Sequence, residues 1–173
     1  TNKNEIDLAL KNLKLIKWLV KKFNSIIAQN RKAKFNYTII ENIEVGMVLN
    51  GAEVKSIRRG KVSLDNSYAA EKKGELWINN LYIDLKEYNS LQEEIKNTRP
   101  RKLLLKKVEM NKIKIKINQN GFTLIPLDLH FNAKGFIKVL LGISKGRKKQ
   151  DLREYKKQQD WKREKSRLEK KWF

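Results

Sequence analysis

Between residues 29 and 144, apolar side chains recur at every second position in short runs separated by Gly and Asn, the spacing of short β-strands in one small domain. FNYTIIE alternates through Tyr37 and Ile39 before Glu41, and GAEVKSIR follows with a glycine at its head. NSYAAEKKGELWIN reads as two strands about a turn at Lys72, Lys73 and Gly74, which predicts a hairpin. FTLIPLDLHF and GFIKVLLGIS are further strand-like runs separated by NAKG, and Pro126 in the first implies an edge or a bulge. Such strands with glycine-marked turns predict a small antiparallel barrel. KKVEMNKIKIKINQNG fits two patterns. Strict alternation from Lys112 to Ile117 reads as strand, whereas Met110, Ile113 and Ile117 fall at helical spacing with Gly121 as a possible stop. Periodicity alone favours the strand.

The flanking segments follow other patterns. In residues 1–28, Ile6, Ala9, Leu13, Ile16, Val20 and Phe23 recur at three-and-four spacing with lysines mostly elsewhere, which predicts a basic amphipathic helix. Its apolar face packs on its own domain in the plainer reading, and docks on a membrane surface or a partner in the other. The initial Thr points to a trimmed precursor, although the Arg and Ser typical of an organellar transit peptide are scarce. In residues 145–173, Leu152, Tyr155, Trp161, Leu168 and Trp172 form only a thin apolar line, too little to offset the entropy of ordering in water.

Charge sharpens this division. The formal net charge is +21, with 40 Lys and Arg against 19 Asp and Glu, a balance best tolerated beside a polyanion, and nucleic acid leads. Segments 1–28, 29–144 and 145–173 carry +4, +9 and +8, so the last is an interaction element distinct from the barrel domain. With no cysteine, disulfides, thiolate zinc sites and Cys nucleophiles are excluded, and no apolar run reaches the roughly 20 residues of a membrane-spanning helix. His130, the one histidine, lies in an apolar strand-like run and reads as a packed or rim residue. Asp65, Asp84 and Asp128 lack metal-ligand spacing, and no phosphate loop or nucleophile motif occurs. We expect neither enzyme activity nor a cofactor. Four basic clusters instead mark the ends of strand-like runs: NRKAK at 30–34, KSIRRGK at 55–61, TRPRK at 98–102 and KGRKK at 145–149. Barrel rims and loops are where such folds bind nucleic acid.

NRKAKFNYTIIE, GMVLNGAEVKSIRRGKVSLDNSY, RKLLL, GFTLIPLDLHF and KVLLGISKGRKKQD together resemble, in order and spacing, the small protein B (SmpB), or SsrA-binding, family of bacterial trans-translation, from about Gln29 to Trp161. The resemblance implies a mainly β fold, an antiparallel barrel of the oligonucleotide-binding type with flanking short helices, and it makes VEMNKIKIKINQNG a helix. It implies binding to the tRNA-like domain of transfer-messenger RNA (tmRNA, SsrA RNA) and its delivery to stalled ribosomes. It further implies a tail, disordered when free and helical when bound, that probes the vacant mRNA channel. The small ribosomal subunit and its rRNA, elongation factor Tu and alanyl-tRNA synthetase are the implied partners of a monomer. The bacterial cytoplasm is the implied compartment, with an organelle of bacterial ancestry, such as a plastid, as the alternative.

The matching tmRNA-facing positions are Arg31, Lys32, Glu44, Glu53, Lys55, Ser56, Arg101, Lys102 and Leu104, with Arg101 and Lys102 expected at an exposed rim. The tail match covers Lys145, Gly146, Arg147, Lys148, Asp151, Arg153 and Trp161, with Gln150 where some members have histidine and Tyr155 as a further stacking residue. Ala52 replaces an aromatic common in the family, and Leu152 interrupts its Asp-Lys-Arg run. Two other classes compete with this reading: a generic single-strand-binding barrel, and a peripheral membrane or scaffold protein acting through residues 1–28.

Overall fold

The computed structural model describes residues 25–87, 96–118 and 121–169. The predicted helix at the N-terminus therefore lies outside the described residues, except for its end. There the chain is already extended: β1 spans Ile26–Gln29 and pairs with β8 (Phe122–Phe131), so the expected boundary at 28/29 falls inside a strand of the sheet.

The remaining strands are β2 (Tyr37–Met47), β3 (Val62–Ser63), β4 (Tyr68–Lys72), β5 (Glu75–Asn79), β6 (Tyr82–Ile83), β7 (Arg101–Leu104) and β9 (Ile137–Gly146). The main sheet runs β1-β8-β4-β5-β7-β2-β9 with every pairing antiparallel, and β8 also pairs with β9. That last pairing closes the sheet into a barrel, with only the short β1 left as an edge among the described residues. Register shifts between Ile39 and Glu41 in β2, and between Pro126 and Asp128 in β8, bend the long strands where closure demands curvature. Pro126, which has no N–H for the ladder, sits at the second of these, a bulge rather than an edge. The hairpin between β4 and β5 turns through Lys73 and Gly74, both at positive φ (53° and 81°), as a tight two-residue turn with the strands' own twist requires.

Among the described residues, four helices decorate the barrel: α1 (Ala33–Asn36), α2 (Gly51–Arg58), α3 (Lys107–Ile117) and α4 (Lys149–Glu169). Asn50 caps α2, its Oδ1 accepting from the Glu53 amide at 2.9 Å while the Asn50 amide donates to Glu53 Oε2 at 2.9 Å. The segment that alternates like a strand is the helix α3. Met110 and Ile113 are its buried residues, and Val108 and Ile115 are 65% exposed, so the alternation does not mark a buried face. Lys116 pairs with Glu41 of β2, tying the helix to the barrel. Inside, Ile57, Ile83, Leu85, Leu129, Leu141 and Ile143 are sealed from solvent and join α2 and the strands β6, β8 and β9 in the main core.

Candidate nucleic-acid interface

Directly paired residues of an antiparallel sheet share a face, so the register can be read across the barrel. Ile26 faces His130, His130 faces Lys138, Lys138 faces Gly46, and Gly46 faces Leu104. The ends of this row, Ile26 and Leu104, are 58% and 51% exposed, which makes it an outward row. Beside it runs a second: Gln29, Asp128, Leu140 and Glu44. Leu104 closes over Gly46, where an added Cβ would stand 3.3 Å from Leu104 Cβ. His130 links the two rows, its Nδ1 lying 2.7 Å from Asp128 Oδ1 and its Nε2 3.1 Å from Glu44 Oε2. The lone histidine is thus a rim residue with two carboxylate partners on different strands. Among the described residues, no His, Asp and Glu cluster could hold a metal ion.

The four basic clusters separate once their ion pairs are placed. Arg31, Lys32 and Lys34 are exposed and have no acidic partner among the described residues, as is true of Lys55 and Arg58. Arg59 and Lys61 both pair with Glu87. The TRPRK cluster is fully engaged within the protein. Arg99 Nη2 stands 2.6 Å from Glu53 Oε2, Arg101 Nε donates to Glu53 Oε1 at 2.8 Å, and Lys102 pairs with Glu75. Arg101 is not at an exposed rim: it is completely buried, and its remaining donors are taken by the carbonyls of Leu81, Arg99 and Asn97.

Glu53 and Ser56 are also interior. Glu53 forms the reciprocal cap of α2 and neutralises Arg101. Burial alone would raise its carboxyl, but hydrogen bonds from Arg99 and the Asn50 amide, together with the Arg101 charge, hold it below the ordinary 4.5. Ser56 Oγ donates to the Asp84 carbonyl at 2.5 Å. No RNA can touch Glu53, Ser56 or Arg101 in this arrangement. Arg31, Lys32, Glu44, Lys55 and Leu104 do face solvent, and Lys102 is partly exposed beside Glu75.

The first and last clusters converge. Tyr37 pairs with Gly146 and Thr38 with Lys145, which sets Lys32 and Lys34 of the α1 region near Lys145 and Lys148 at the root of α4. Arg147 fixes this junction: its amide donates to the Asn36 carbonyl at 3.0 Å, its Nη1 to the Phe35 carbonyl at 3.0 Å, and its Nε to Thr38 Oγ1 at 3.1 Å. Tyr155 lies against the same arginine, whose Cζ is 3.8 Å from the ring centroid, and meets Phe35 edge-on at 6.0 Å. Asp151 Oδ2 accepts the Lys148 amide at 3.2 Å as α4 begins. Around this junction Lys145, Gly146, Lys148, Gln150 and Arg153 are exposed, and past Tyr155 the helix stands off the barrel with Trp161 69% exposed. The His130 bridge and the Tyr155 anchor are features that the sequence reading missed, since their partners are distant in sequence.

A closed antiparallel barrel with outward basic clusters and a basic helix springing from its rim defines the chain as a barrel protein of the oligonucleotide-binding type. The model of the SmpB protein family matches residues 27–171. SsrA-binding proteins of Gluconacetobacter diazotrophicus and Ehrlichia canis are 48% and 50% identical over 144 residues, covering 83% of this chain and 92% and 96% of those relatives. That of Wolbachia pipientis is 48% identical over 146 residues, covering 84% of this chain and 97% of its own. A chain from the solved structure "tmRNA-SmpB: a journey to the center of the bacterial ribosome" superposes with a TM-score of 0.58 at 45% identity, covering 70% of this chain and 84% of that one. The chain belongs to the SmpB protein family, whose members are RNA-binding factors and not enzymes.

Proposed function

We propose that this protein binds the tRNA-like domain of tmRNA, delivers it to ribosomes stalled without a stop codon, and probes the empty mRNA channel with its C-terminal helix. The observation that carries this reading is the pairing of Thr38 with Lys145, which joins two basic clusters at the root of a projecting basic helix. One element can then hold an RNA while the other reaches away from it. The relatives are named for binding SsrA RNA, and the solved relative is described with tmRNA in the bacterial ribosome. Elongation factor Tu and alanyl-tRNA synthetase join through the RNA, which needs no further site on this chain. Work at the ribosome places the protein in the bacterial cytoplasm, or in an organelle of bacterial ancestry; among the described residues no helix is long and apolar enough to cross a membrane.

Binding of the full chain to a transcript of the tRNA-like domain, titrated over salt concentration, tests the proposal. Several phosphate contacts release several counterions, so affinity should fall steeply and linearly in log–log form. Equal affinity for an unstructured RNA of the same length would overturn it.

A further inference from the structure

We infer that the cleft between α1, the 65–67 turn and the starts of β4 and β8 is a pocket for one unstacked RNA nucleotide, and this rests on the RNA-binding reading above. The cleft has a volume of about 380 Å³, toward the small end of ligand pockets, and it is open enough for a residue still joined to its chain. Much of its polar lining is unengaged, Ser67 excepted, whose Oγ donates to the Leu64 carbonyl at 2.6 Å. Among the described residues, the side chains of Asn36, Tyr37, Asn66, Tyr68 and Thr123 make no hydrogen bond with another protein group, and Lys32 has no acidic partner. By contrast Asn30, on the buried side, is held: its Oδ1 accepts the Ala33 amide at 3.0 Å. The cleft thus carries free donors and acceptors around a fixed base.

The kinds of group present select the ligand. Tyr68 is 43% exposed and offers a ring at the mouth, while Tyr37 packs against Ala33, Ile125 and Leu127 and offers a second, firmly seated one. Aromatic faces stack on any base. Asn36 and Asn66 each present a donor beside an acceptor, the arrangement that pairs with a base edge, and Asn66 is held at φ 60° in the turn. Lys32 can take the phosphate. No carboxylate lines the cleft, whereas the groove beside Trp77 contains Glu71 and Glu75 and the one beside β1 contains Asp65. The lining of the cleft favours an anionic, aromatic, hydrogen-bonding ligand. It lies next to the α1 and α4 junction, so the nucleotide could come from tmRNA or from the ribosome.

Two RNAs separate these sources: a transcript of the tmRNA tRNA-like domain and purified small ribosomal subunits, each titrated with the full chain and its variants. Tyr68→Ala should weaken binding to one of them about tenfold, the loss of one base stack, and Tyr68→Phe should restore it. The RNA that responds is the source. Thermal melting of Tyr68→Ala near that of the wild type keeps the loss from being one of folding. Tyr68→Ala binding both RNAs within twofold of the wild type would overturn the pocket. Should the wild type bind neither RNA, the RNA-binding reading fails by itself, and nuclear magnetic resonance with AMP, GMP, CMP and UMP then decides the pocket. Shifts at the Asn36 and Asn66 side-chain amides keep it, and none there removes it.

Discussion

Arg101 and Glu53 meet out of reach of solvent, Nε to Oε1 at 2.8 Å, with both side chains wholly buried. A pair in that setting behaves unlike a surface ion pair: removing Arg101 empties a buried site, leaves the carbonyls of Leu81 and Asn97 without this donor, and leaves Glu53 only Arg99 and the Asn50 amide. Arg101→Ala should therefore destabilise the fold by about 3–5 kcal/mol. Lys102→Ala, next in sequence and paired with Glu75 where both are well over a third exposed, should cost less than about 1 kcal/mol. Urea unfolding measures both. Equal losses would show that the buried pair is not what distinguishes them.

Acid sensitivity follows from the same carboxylate. Glu53 is held below its ordinary 4.5 in the folded state, so its contribution is fully present above that value and is lost as pH falls through the depressed folded value. Glu41 and Glu87, hydrogen-bonded by Lys116 and Lys61, are lowered too and lose charge on the same acid side. Glu53→Gln should give a protein less stable at neutral pH whose melting temperature falls less steeply below about pH 4.5 than that of the wild type. An unchanged acid slope would count against Glu53 as a contributor.

The Arg101 result shows where reading the sequence stops. The hairpin at Lys73 and Gly74 and the irregularity at Pro126 were legible because their causes are local: a turn needing positive φ and a residue without an N–H. The helix α3 was legible only through family resemblance, since its alternating isoleucines imitate a strand. Arg101 is separated from Glu53 by 48 positions, and His130 from Glu44 by 86, so nothing near either residue announces its partner. A basic cluster in sequence can thus be a surface, as at Arg31 and Lys32, or an interior network, as at Arg99 and Arg101.

Tyr155 offers a further test, because it anchors the base of α4 against Arg147 and Phe35. An arginine over a ring and an edge-on aromatic pair together contribute about 1–2 kcal/mol. Tyr155→Ala should free the helix from the barrel and speed trypsin cleavage after Arg163 and Lys165 by roughly tenfold, whereas Tyr155→Phe keeps the ring and most of the protection. The melting of the barrel should not move. Equal cleavage of the two variants would mean that the ring does not hold the helix.

The tail itself should separate binding from function. If the helix is the channel probe, deletion from Gln150 onward leaves tmRNA binding nearly intact, because the α1 cluster and the outward rows of the barrel remain, yet abolishes alanine transfer on stalled ribosomes. A peptide of residues 149–169 should show little helix alone, since Lys and Arg outnumber the acids and its apolar line is thin. On the ribosome, rRNA would screen those charges, and Trp161 has a free face for stacking. A tail that merely adds charge would work in any order. Peptidyl transfer to alanyl-tmRNA, measured with native, scrambled and truncated tails, distinguishes the two: we expect activity from the native order only, and full activity from a scrambled tail of equal charge would defeat the channel-probe reading.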